Sequence, residues 1–395
     1  MRRAASCIGH YFGGKLDDAW VERWRTFCEV ERMHAAFEGD AIVGGAGAFS
    51  LELAVPGGSV RAAGVTIVGV LPTHRRRGVL TALMRAQLDD VRRRAEPIAC
   101  LWASEETIYG RFGYGHAADA MEVTIPRDRV AFRSTASDAA PSAARTRLLT
   151  TDEALAILPS IYDRVRVRTP GMLSRTPAWW KNRRMYDPPE RRGGGGVLEH
   201  VVVDIDGKPE AYALYRMHFR LDHGSGAGRV EVLEAMGATP AATRALFRFL
   251  LDIDWTSSID FAVAPVDHPL RALLAEPRRA EFRLYDTLWV RLVDVQAALA
   301  ARSYASDDEL VLEVRDAFCP WNAGRFGVSR KGVARSESAA DLSLDIADLG
   351  SAYLGGTSFT TLSESARAAE LRPGAAARAD ALFRTDRPPF NPEIF

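Results

Sequence analysis

The segment that most constrains this chain is a hydrophobic strand that runs through a proline into a helix. The strand, residues 65–71, is followed by Pro72 and then by three arginines and a glycine at positions 75–78. Apolar residues then recur at helical spacing from Val79 to Val91, which predicts an amphipathic helix. A second apolar strand, 98–101, follows that helix. The order strand, helix, strand predicts a parallel or mixed sheet with the turn at a strand's carboxyl end, where ligands bind.

The turn itself has the composition of an anion-binding site. The first N–H groups of a helix have no partner within the helix, and the helix dipole adds partial positive charge there. Arginines pair with phosphate oxygens, and a glycine at position 78 removes the Cβ that would keep a ligand from the backbone. The alternative is a solvated, charged first turn. Basic residues at a helix start oppose the dipole unless an anion is bound, which is the reason to consider a binding site.

Composition limits the class of protein. The chain has 395 residues, too many for one hydrophobic core, which predicts two or three domains. Its 51 basic and 51 acidic residues cancel, so no global positive field would attract nucleic acid. The four cysteines lack paired C-x-x-C spacing, and no metal site is expected. No apolar run is long enough to span a membrane, and glycines interrupt any N-terminal signal-peptide core, so we expect a cytoplasmic protein.

The chain divides at a stretch without apolar periodicity. Residues 128–146 are rich in Ala, Ser, Thr and Arg and are predicted to link two domains. The second domain, 147–293, repeats the strand, helix, strand order, but its turn at 234–240 contains no arginine and no R-x-x-G spacing. The remaining residues, 294–395, mix strands and helices.

Several local patterns give expectations about single elements. The sequence predicts one helix over 16–33, tight turns at 56–58 and 204–207, and an alternating strand over 340–348. The glycine run at 193–196 lacks the preceding strand and the Lys-Ser/Thr of a phosphate loop, so it is interpreted as a flexible loop.

Two motifs resemble those of a known family. Residues 73–80, Thr-His-Arg-Arg-Arg-Gly-Val-Leu, fit the coenzyme-binding signature of GCN5-related N-acetyltransferases (GNAT), except that Leu80 stands where a small residue is usual. The longer string is similar to that of the Eis (enhanced intracellular survival) acetyltransferases. Residues 102–115, Trp-Ala-Ser-Glu-Glu-Thr-Ile-Tyr-Gly-Arg-Phe-Gly-Tyr-Gly, resemble the segment of that family that carries its catalytic tyrosine.

The resemblance implies a fold class of α/β plus α+β. It consists of tandem GNAT folds followed by a sterol-carrier-protein-like C-terminal domain. The corresponding boundaries are 1–127 for the catalytic, coenzyme-binding domain, 128–146 for the linker, 147–293 for a central GNAT-like domain without a coenzyme site, and 294–395 for the C-terminal domain. The family further implies a homo-oligomer, such as a hexamer.

The resemblance also implies a binding site for acetyl-CoA as co-substrate. The pantetheine chain would pair with the backbone of the strand, the pyrophosphate would lie on the turn, and two residues of the second motif would border the coenzyme. The residues concerned are Val68, Gly69, Val70, Arg75, Arg76, Arg77, Gly78, Val79, Leu80, Thr81, Ser104 and Glu105.

Acetyl transfer to an amine also needs an acid for the departing thiolate and a base for the amine. Tyr109 is the candidate acid, because a phenol stays protonated at neutral pH and can donate to a thiolate. Its cluster with Phe112 and Tyr114 could instead be simple packing, which is our interpretation of Tyr114. In the family the terminal carboxylate takes the proton, a role that falls on Phe395. The alternative is that the apolar end merely packs. Glu393 lies one place before the penultimate acid that the family implies.

The substrate would be an amine, namely an aminoglycoside-like molecule, a polyamine-like molecule or a lysine side chain. Trp24 and Ile67 are candidate pocket walls, and Asp17 and Asp18 could attract a cation or simply be exposed helix acids. Three histidines are alternative bases, although a lone histidine is more often structural: His10, His34 and His116. Two other functions compete with the enzyme. One is a non-enzymatic carrier of an apolar ligand with a vestigial coenzyme site. The other, a nucleic-acid binder, lacks aromatic residues interleaved with the basic ones.

Overall fold

A computed structural model describes residues 1–11, 13, 16–127, 131–133 and 144–395. The chain forms two compact units, and each is described by itself. The first contains residues 1–118, 168–176 and 286–395, and the second contains 119–167 and 177–285. Among the described residues, no helix is long and apolar enough to cross a membrane.

The strands of the described residues, in chain order, are β1 (His34–Glu38), β2 (Ala41–Val55), β3 (Gly58–Val70), β4 (Ile98–Leu101), β5 (Gly115–Pro126), β6 (Ala144–Leu149), β7 (Glu199–Ile205), β8 (Lys208–His218), β9 (Leu221–Asp222), β10 (Ser225–Gly226), β11 (Gly228–Gly237), β12 (Thr256–Pro265), β13 (Glu281–Leu292), β14 (Glu309–Arg315), β15 (Gly324–Ser329), β16 (Gly332–Arg335), β17 (Leu342–Asp345) and β18 (Ala368–Glu370).

The α-helices are α1 (Arg2–Gly9), α2 (Asp18–Arg25), α3 (Val79–Arg93), α4 (Glu106–Tyr109), α5 (Thr151–Arg166), α6 (Pro177–Trp179), α7 (Pro240–Leu251), α8 (Leu270–Leu273), α9 (Val295–Ala300), α10 (Ile346–Tyr353), α11 (Phe359–Glu364) and α12 (Ala375–Phe383).

The main sheet of the first unit has the strand order β1-β2-β3-β4-β13. Strands β2 and β3 form a long antiparallel hairpin whose turn, at Pro56 and Gly57, confirms the predicted reversal. Strand β3 begins seven residues earlier than the predicted 65–71, at Gly58 rather than Val65. Its first half contains Gly, Ser and Ala, which have low strand propensity and hide the strand from pattern analysis.

The predicted strand, helix, strand unit is confirmed. Strands β3 and β4 pair in parallel, from Ala62 opposite Ile98 to Gly64 opposite Cys100, and α3 connects them. Helix α3 buries the face that contains Leu83, Met84 and Leu88. Each such side chain contributes about 1.5–3 kcal/mol on burial, which keeps the helix and the turn before it in a fixed place.

The N-terminal helices differ from the prediction. The single helix expected over 16–33 is wrong, because α2 ends at Arg25 and a separate 3₁₀ turn covers Val30–Arg32. Helix α1 was not predicted at all. It packs closely on the sheet because Gly69 has no side chain, and a Cβ there would lie 2.6 Å from the backbone nitrogen of Ile8.

The rest of the first unit is an α+β arrangement. Its five strands have the order β16-β15-β14-β17-β18. The strand predicted over 340–348 is partly wrong, because β17 ends at Asp345 and α10 begins at Ile346. The side chain of Asp345 accepts a hydrogen bond from the Ala347 N–H, so this residue caps the helix inside an alternating pattern.

The second unit contains a sheet with the order β5-β12-β11-β8-β7-β6, whose buried core includes Val201, Val230, Leu246 and Phe261. The hairpin turn between β7 and β8, predicted over 204–207, is confirmed. Strand β6 begins at Ala144, inside the predicted linker 128–146, and residues 128–130 and 134–143 of that linker lie outside the described residues. The glycine run 193–196 follows a 3₁₀ turn at Pro189–Arg191 and precedes β7.

Candidate active site

A cleft of about 610 Å³ lies in the first unit where β3 and β4 end and α3 begins. Its walls bring together most of the predicted coenzyme-binding residues and several that the sequence did not indicate. The lining residues are Ile8, Tyr11, Val68, Gly69, Val70, His74, Arg75, Arg76, Gly78, Val79, Leu80, Thr81, Ser104, Glu105, Thr107, Ile108, Tyr109, Arg111 and Phe112.

One wall is the free edge of β3. The parallel ladder between β3 and β4 ends at Gly64 and Cys100, so the later residues of β3 have no partner strand on that side among the described residues. A β-bulge lies just beyond this point, and Ile67 has a φ of +46°, which is strained for a β-branched residue. Local strain of this kind concentrates at functional sites.

The register shows which backbone groups face the cleft. The Leu71 N–H donates to the Val43 carbonyl, and Gly69 lies opposite Gly45, so these residues direct their polar groups to β2. By the alternation of an antiparallel ladder, Val70 directs its polar groups to the other edge, and Val68, inside the bulge, lines the cleft. The hydroxyl of Tyr11 donates to the Val70 carbonyl at 2.8 Å from that edge. This edge can therefore pair with an extended, amide-bearing ligand.

A second wall is the start of α3. Gly78 has a φ of +80° and, having no side chain, does not cap the first N–H groups of α3. A Cβ on Gly78 would meet no atom within 4 Å, so the backbone conformation requires glycine here rather than a close approach of protein atoms. Arg75 and Arg76 line the same part of the cleft. Uncapped N–H groups and two arginines form a cradle that fits a pyrophosphate.

Arg77 occupies a different environment. Its guanidinium pairs with Glu38, and His74 binds the same carboxylate at 2.7 Å. The hydrogen bond from Arg77 has the larger effect and that from His74 the smaller, and both lower the pKa of the Glu38 carboxyl. The structure therefore does not bring Arg77 into the cleft wall. Its side chain instead connects the turn to β1.

Tyr109 is the last residue of α4 and reaches the cleft from the side of β4. Its side chain is only 7% exposed, and its ring packs edge-on against Tyr114 at 5.9 Å. Burial, with the nearby Glu105 carboxylate as a second cause, raises the pKa of the Tyr109 phenol to about 12. The phenol is therefore neutral and able to donate a proton at physiological pH. Tyr114 is fully buried, as its interpretation as a packing residue requires.

The C-terminal tail packs onto residues 168–176 and onto the N-terminal part of the first unit. The Phe390 N–H donates to the Pro170 carbonyl, and Glu393 forms a buried ion pair with Arg175 at 2.5 Å. The ring of Phe395 lies over β3, where a Cβ on Gly64 would come within 3.3 Å of it, and contacts Phe49 edge-on. Phe395 does not line the 610 Å³ cleft. Because Glu393 is paired and 3% exposed, it offers no open carboxylate to a cation.

The candidate substrate-pocket residues also lie outside the cleft lining. Trp24 stacks on Phe49, which in turn contacts Phe395, so Trp24 and the tail share one aromatic cluster. Ile67 packs against Gly47. Asp17 caps α2 through the Trp20 N–H, and Asp18 pairs with Arg2 at 2.6 Å, so both acids have local roles.

Histidines add little to the cleft. The three candidate bases, His10, His34 and His116, do not line it, and burial lowers the pKa of His34. His74, a residue of the 73–80 motif, does line the cleft but was not among the candidate bases. Ile8 was missed because it belongs to α1, which was not predicted, and Tyr11 was missed because it lies in the turn just after that helix. In the described part of the chain, no group of three His, Cys, Asp or Glu side chains could hold a metal ion.

In the described part of the second unit, the corresponding helix starts without an equivalent cradle. Helix α7 follows β11 as α3 follows β3, but the Thr239 side chain accepts a hydrogen bond from the Ala242 N–H. Beside the end of β11, Glu234 is 1% exposed and binds the Tyr212 hydroxyl at 2.5 Å and Arg184 at 2.7 Å. Because Thr239 already caps the start of α7 and the buried Glu234 carboxylate lies nearby, the start of this helix is unsuited to a phosphate.

Diverging parallel strands, a bulged strand edge and an R-x-x-G turn at a helix start are the features of the GNAT class of acetyltransferases. Models of two acetyltransferase (GNAT) domains match residues 1–117 and 171–292, and a sterol carrier protein domain matches 295–392. The fold class predicted from the sequence is therefore confirmed.

Comparison with individual proteins shows which family within the GNAT class the chain resembles. An uncharacterized N-acetyltransferase of Streptomyces avermitilis is 42% identical over 391 residues, covering 97% of this chain and 94% of that protein. The N-acetyltransferase Eis of Mycobacterium bovis is 34% identical over 395 residues, covering 98% and 94%. The crystal structure of Eis1 from Mycobacterium abscessus aligns with a TM-score of 0.86 at 36% identity, covering 100% and 97%. The chain belongs to the Eis-like family of GCN5-related N-acetyltransferases.

Proposed function

We propose that this N-acetyltransferase moves the acetyl group of acetyl-CoA to an amine by direct transfer in a ternary complex. The observation that carries the proposal is the position of Tyr109, a buried neutral phenol in the same cleft as the anion cradle and the free edge of β3. A phosphate site alone would not need a proton donor beside it. Acetyl-CoA supplies the activated acetyl group as a thioester.

The residues of the cleft fit the coenzyme in three parts. Backbone groups of Val68 and Val70 would pair with the pantetheine amides, while Gly69, whose missing side chain leaves room for Ile8 of α1, lies between them. The side chains of Arg75 and Arg76 and the N–H groups that start α3 would hold the pyrophosphate. A backbone N–H of the β3 edge would also polarise the acetyl carbonyl as a single oxyanion donor.

The proton transfers are assigned to two residues. As the amine nitrogen bonds to the acetyl carbon and the carbon–sulfur bond breaks, Tyr109 donates its proton to the departing thiolate. We assign the acceptance of the amine proton to the terminal carboxylate of Phe395, directly or through water. The packed tail supports this role, because a fixed carboxylate needs little reorganisation to act as a base.

The acceptor would be an aminoglycoside-like amine, a polyamine-like amine or a lysine side chain. By family likeness we also propose a cytoplasmic homo-oligomer, such as a hexamer. Sedimentation of the purified protein would show the oligomeric state directly.

The test is to incubate the protein with acetyl-CoA and a panel of polyamines and aminoglycosides, and to follow the release of free thiol. We expect thiol release with at least one amine, and a rate about 100-fold lower for Tyr109→Phe, the usual contribution of a general acid. Coenzyme binding, measured by calorimetry, should be unchanged in that variant. If no amine releases thiol and acetyl-CoA does not bind, the enzyme proposal fails and the apolar-ligand carrier remains.

A further inference from the structure

A buried ion pair lies directly behind the segment that carries Tyr109. Arg291 of β13 binds Asp316, which follows β14, at 2.6 Å, and both side chains are fully buried. The Asp316 carboxylate also accepts hydrogen bonds from the Cys319 N–H at 2.8 Å and from the Asn322 side chain at 3.1 Å. The proposed chemistry assigns no role to either member of this pair.

Arg291 packs against the turn that follows Tyr109. Gly113 has a φ of +85°, and a Cβ on it would lie 2.7 Å from the guanidinium carbon of Arg291. The turn closes through the Gly113 N–H, which donates to the Gly110 carbonyl at 2.9 Å, and through the Tyr114 N–H, which donates to the Tyr109 carbonyl at 3.3 Å. The guanidinium therefore sets the position of a turn that is bonded to the backbone of Tyr109.

The loop that contains Asp316 contacts the same turn from another direction. The ring of Phe318 packs edge-on against Phe112 at 5.1 Å, and Arg85 of α3 lies over the Phe318 ring at 4.1 Å. Cys319 belongs to the buried cluster that also contains Tyr109 and Tyr114. The C-terminal part of the chain thus packs against the segment from Tyr109 to Tyr114.

We propose that Arg291, held by Asp316, is a positioning residue for Tyr109, so that the C-terminal region fixes the phenol in the cleft. This inference rests on the proposed function, in which Tyr109 is the general acid. A proton donor must lie within hydrogen-bond reach of its acceptor, and a shift of about 1 Å lowers the rate by roughly 100-fold. Arg291 touches no part of the cleft and acts through the turn alone.

The experiment is a double-mutant cycle on kcat with Arg291→Met and Tyr109→Phe. We expect Arg291→Met alone to lower kcat about 10–100-fold, with coenzyme affinity unchanged within about threefold. In the Tyr109→Phe background the same substitution should lower kcat by less than about twofold, because the group that it positions is already absent.

A matched control separates positioning from general destabilisation. Arg32 and Glu96 form another buried ion pair in the same unit, and neither residue lines the cleft. Arg32→Met should change kcat by the same factor with and without Tyr109. Because Arg291→Met leaves a buried carboxylate without its partner, the double variant Arg291→Met/Asp316→Asn, which removes both charges, keeps the test valid if the single variant fails to fold.

The outcomes separate the two proposals. If Tyr109→Phe leaves kcat unchanged, the general-acid assignment fails, and the positioning role fails with it. If Tyr109→Phe lowers kcat but Arg291→Met lowers it by the same factor in both backgrounds, the positioning role is overturned while the proposed function stands. A parallel loss of coenzyme affinity in Arg291→Met would also overturn it, since a change confined to the turn leaves the β3 edge and the α3 start intact.

Discussion

At the scale of single residues, the left-handed backbone conformation of Gly78 determines the course of the turn at the cleft wall. Gly78 has a φ of +80° at the start of α3, whereas Gly110, after α4, has a helical φ of −55°. A Cβ on either glycine would meet no atom within 4 Å. The two positions therefore differ in backbone conformation and not in available space, which makes them a matched pair.

We expect Gly78→Ala to lower the free energy of unfolding by about 1–2 kcal/mol, because an L side chain is strained at that φ. It should also weaken coenzyme binding, since relief of the strain moves the turn. Gly110→Ala should leave stability unchanged or raise it by about 0.5–1 kcal/mol. Denaturant unfolding and calorimetry would measure both quantities. Equal destabilisation by the two variants would show that the positive φ of Gly78 is not the cause of the loss.

The raised pKa of Tyr109 predicts how its contribution to kcat depends on pH. Burial raises that pKa to about 12, so the neutral, proton-donating form persists well above the usual value for a phenol. The ratio of kcat between the natural protein and Tyr109→Phe should therefore stay constant from about pH 7 to about pH 10. A ratio that falls with a midpoint near 10 would show that the phenol is solvated during turnover.

At the scale of elements, neighbouring arginines in the turn before α3 lie in different environments. Arg76 lines the cleft, while Arg77, its neighbour, is paired with Glu38. Three adjacent arginines look alike in the sequence. Only the position of β1, which brings Glu38 to the turn, distinguishes them.

We expect Arg76→Ala to weaken coenzyme binding by about tenfold or more, the effect of losing a charge-assisted hydrogen bond of roughly 1.5–3 kcal/mol. Arg77→Ala removes the same charge and should weaken binding by less than about threefold in low salt. Titration calorimetry at two salt concentrations would test this. Equal losses in the two variants would show that Arg77 leaves Glu38 when the coenzyme binds.

The sequence predicted the elements that carry regular patterns. Helix α3 has an apolar stripe, and β4 is a short run of apolar residues. Because the order strand, helix, strand could be recognised, the sequence predicted the parallel pairing and the position of the turn. Helix α1 was missed because its fit depends on glycines of β2 and β3 that are distant in sequence. The strand predicted over 340–348 was partly wrong because Asp345 fits the alternating pattern of a strand, although it acts as a helix cap.

At the scale of the whole chain, the tail shows how residues far apart in sequence come into contact within the first unit. Phe390 pairs with Pro170, Glu393 pairs with Arg175, and Phe395 packs over Gly64. The apolar end of the sequence indicated a packed tail but not its partners. Arg175 gives no local signal, because its ion pair depends on the tertiary arrangement.

This arrangement gives a test of the proposed base. Addition of a few residues after Phe395 should lower kcat at least about 100-fold, since it converts the terminal carboxylate to an amide. Coenzyme affinity should not change, because no tail residue lines the cleft. Phe395→Leu keeps the carboxylate and loses only ring contacts with Phe49 and Gly64, so its kcat should fall by less than about tenfold. Full activity of the extended chain would place the base on another group, and His74, the histidine of the cleft wall, would be the first to test.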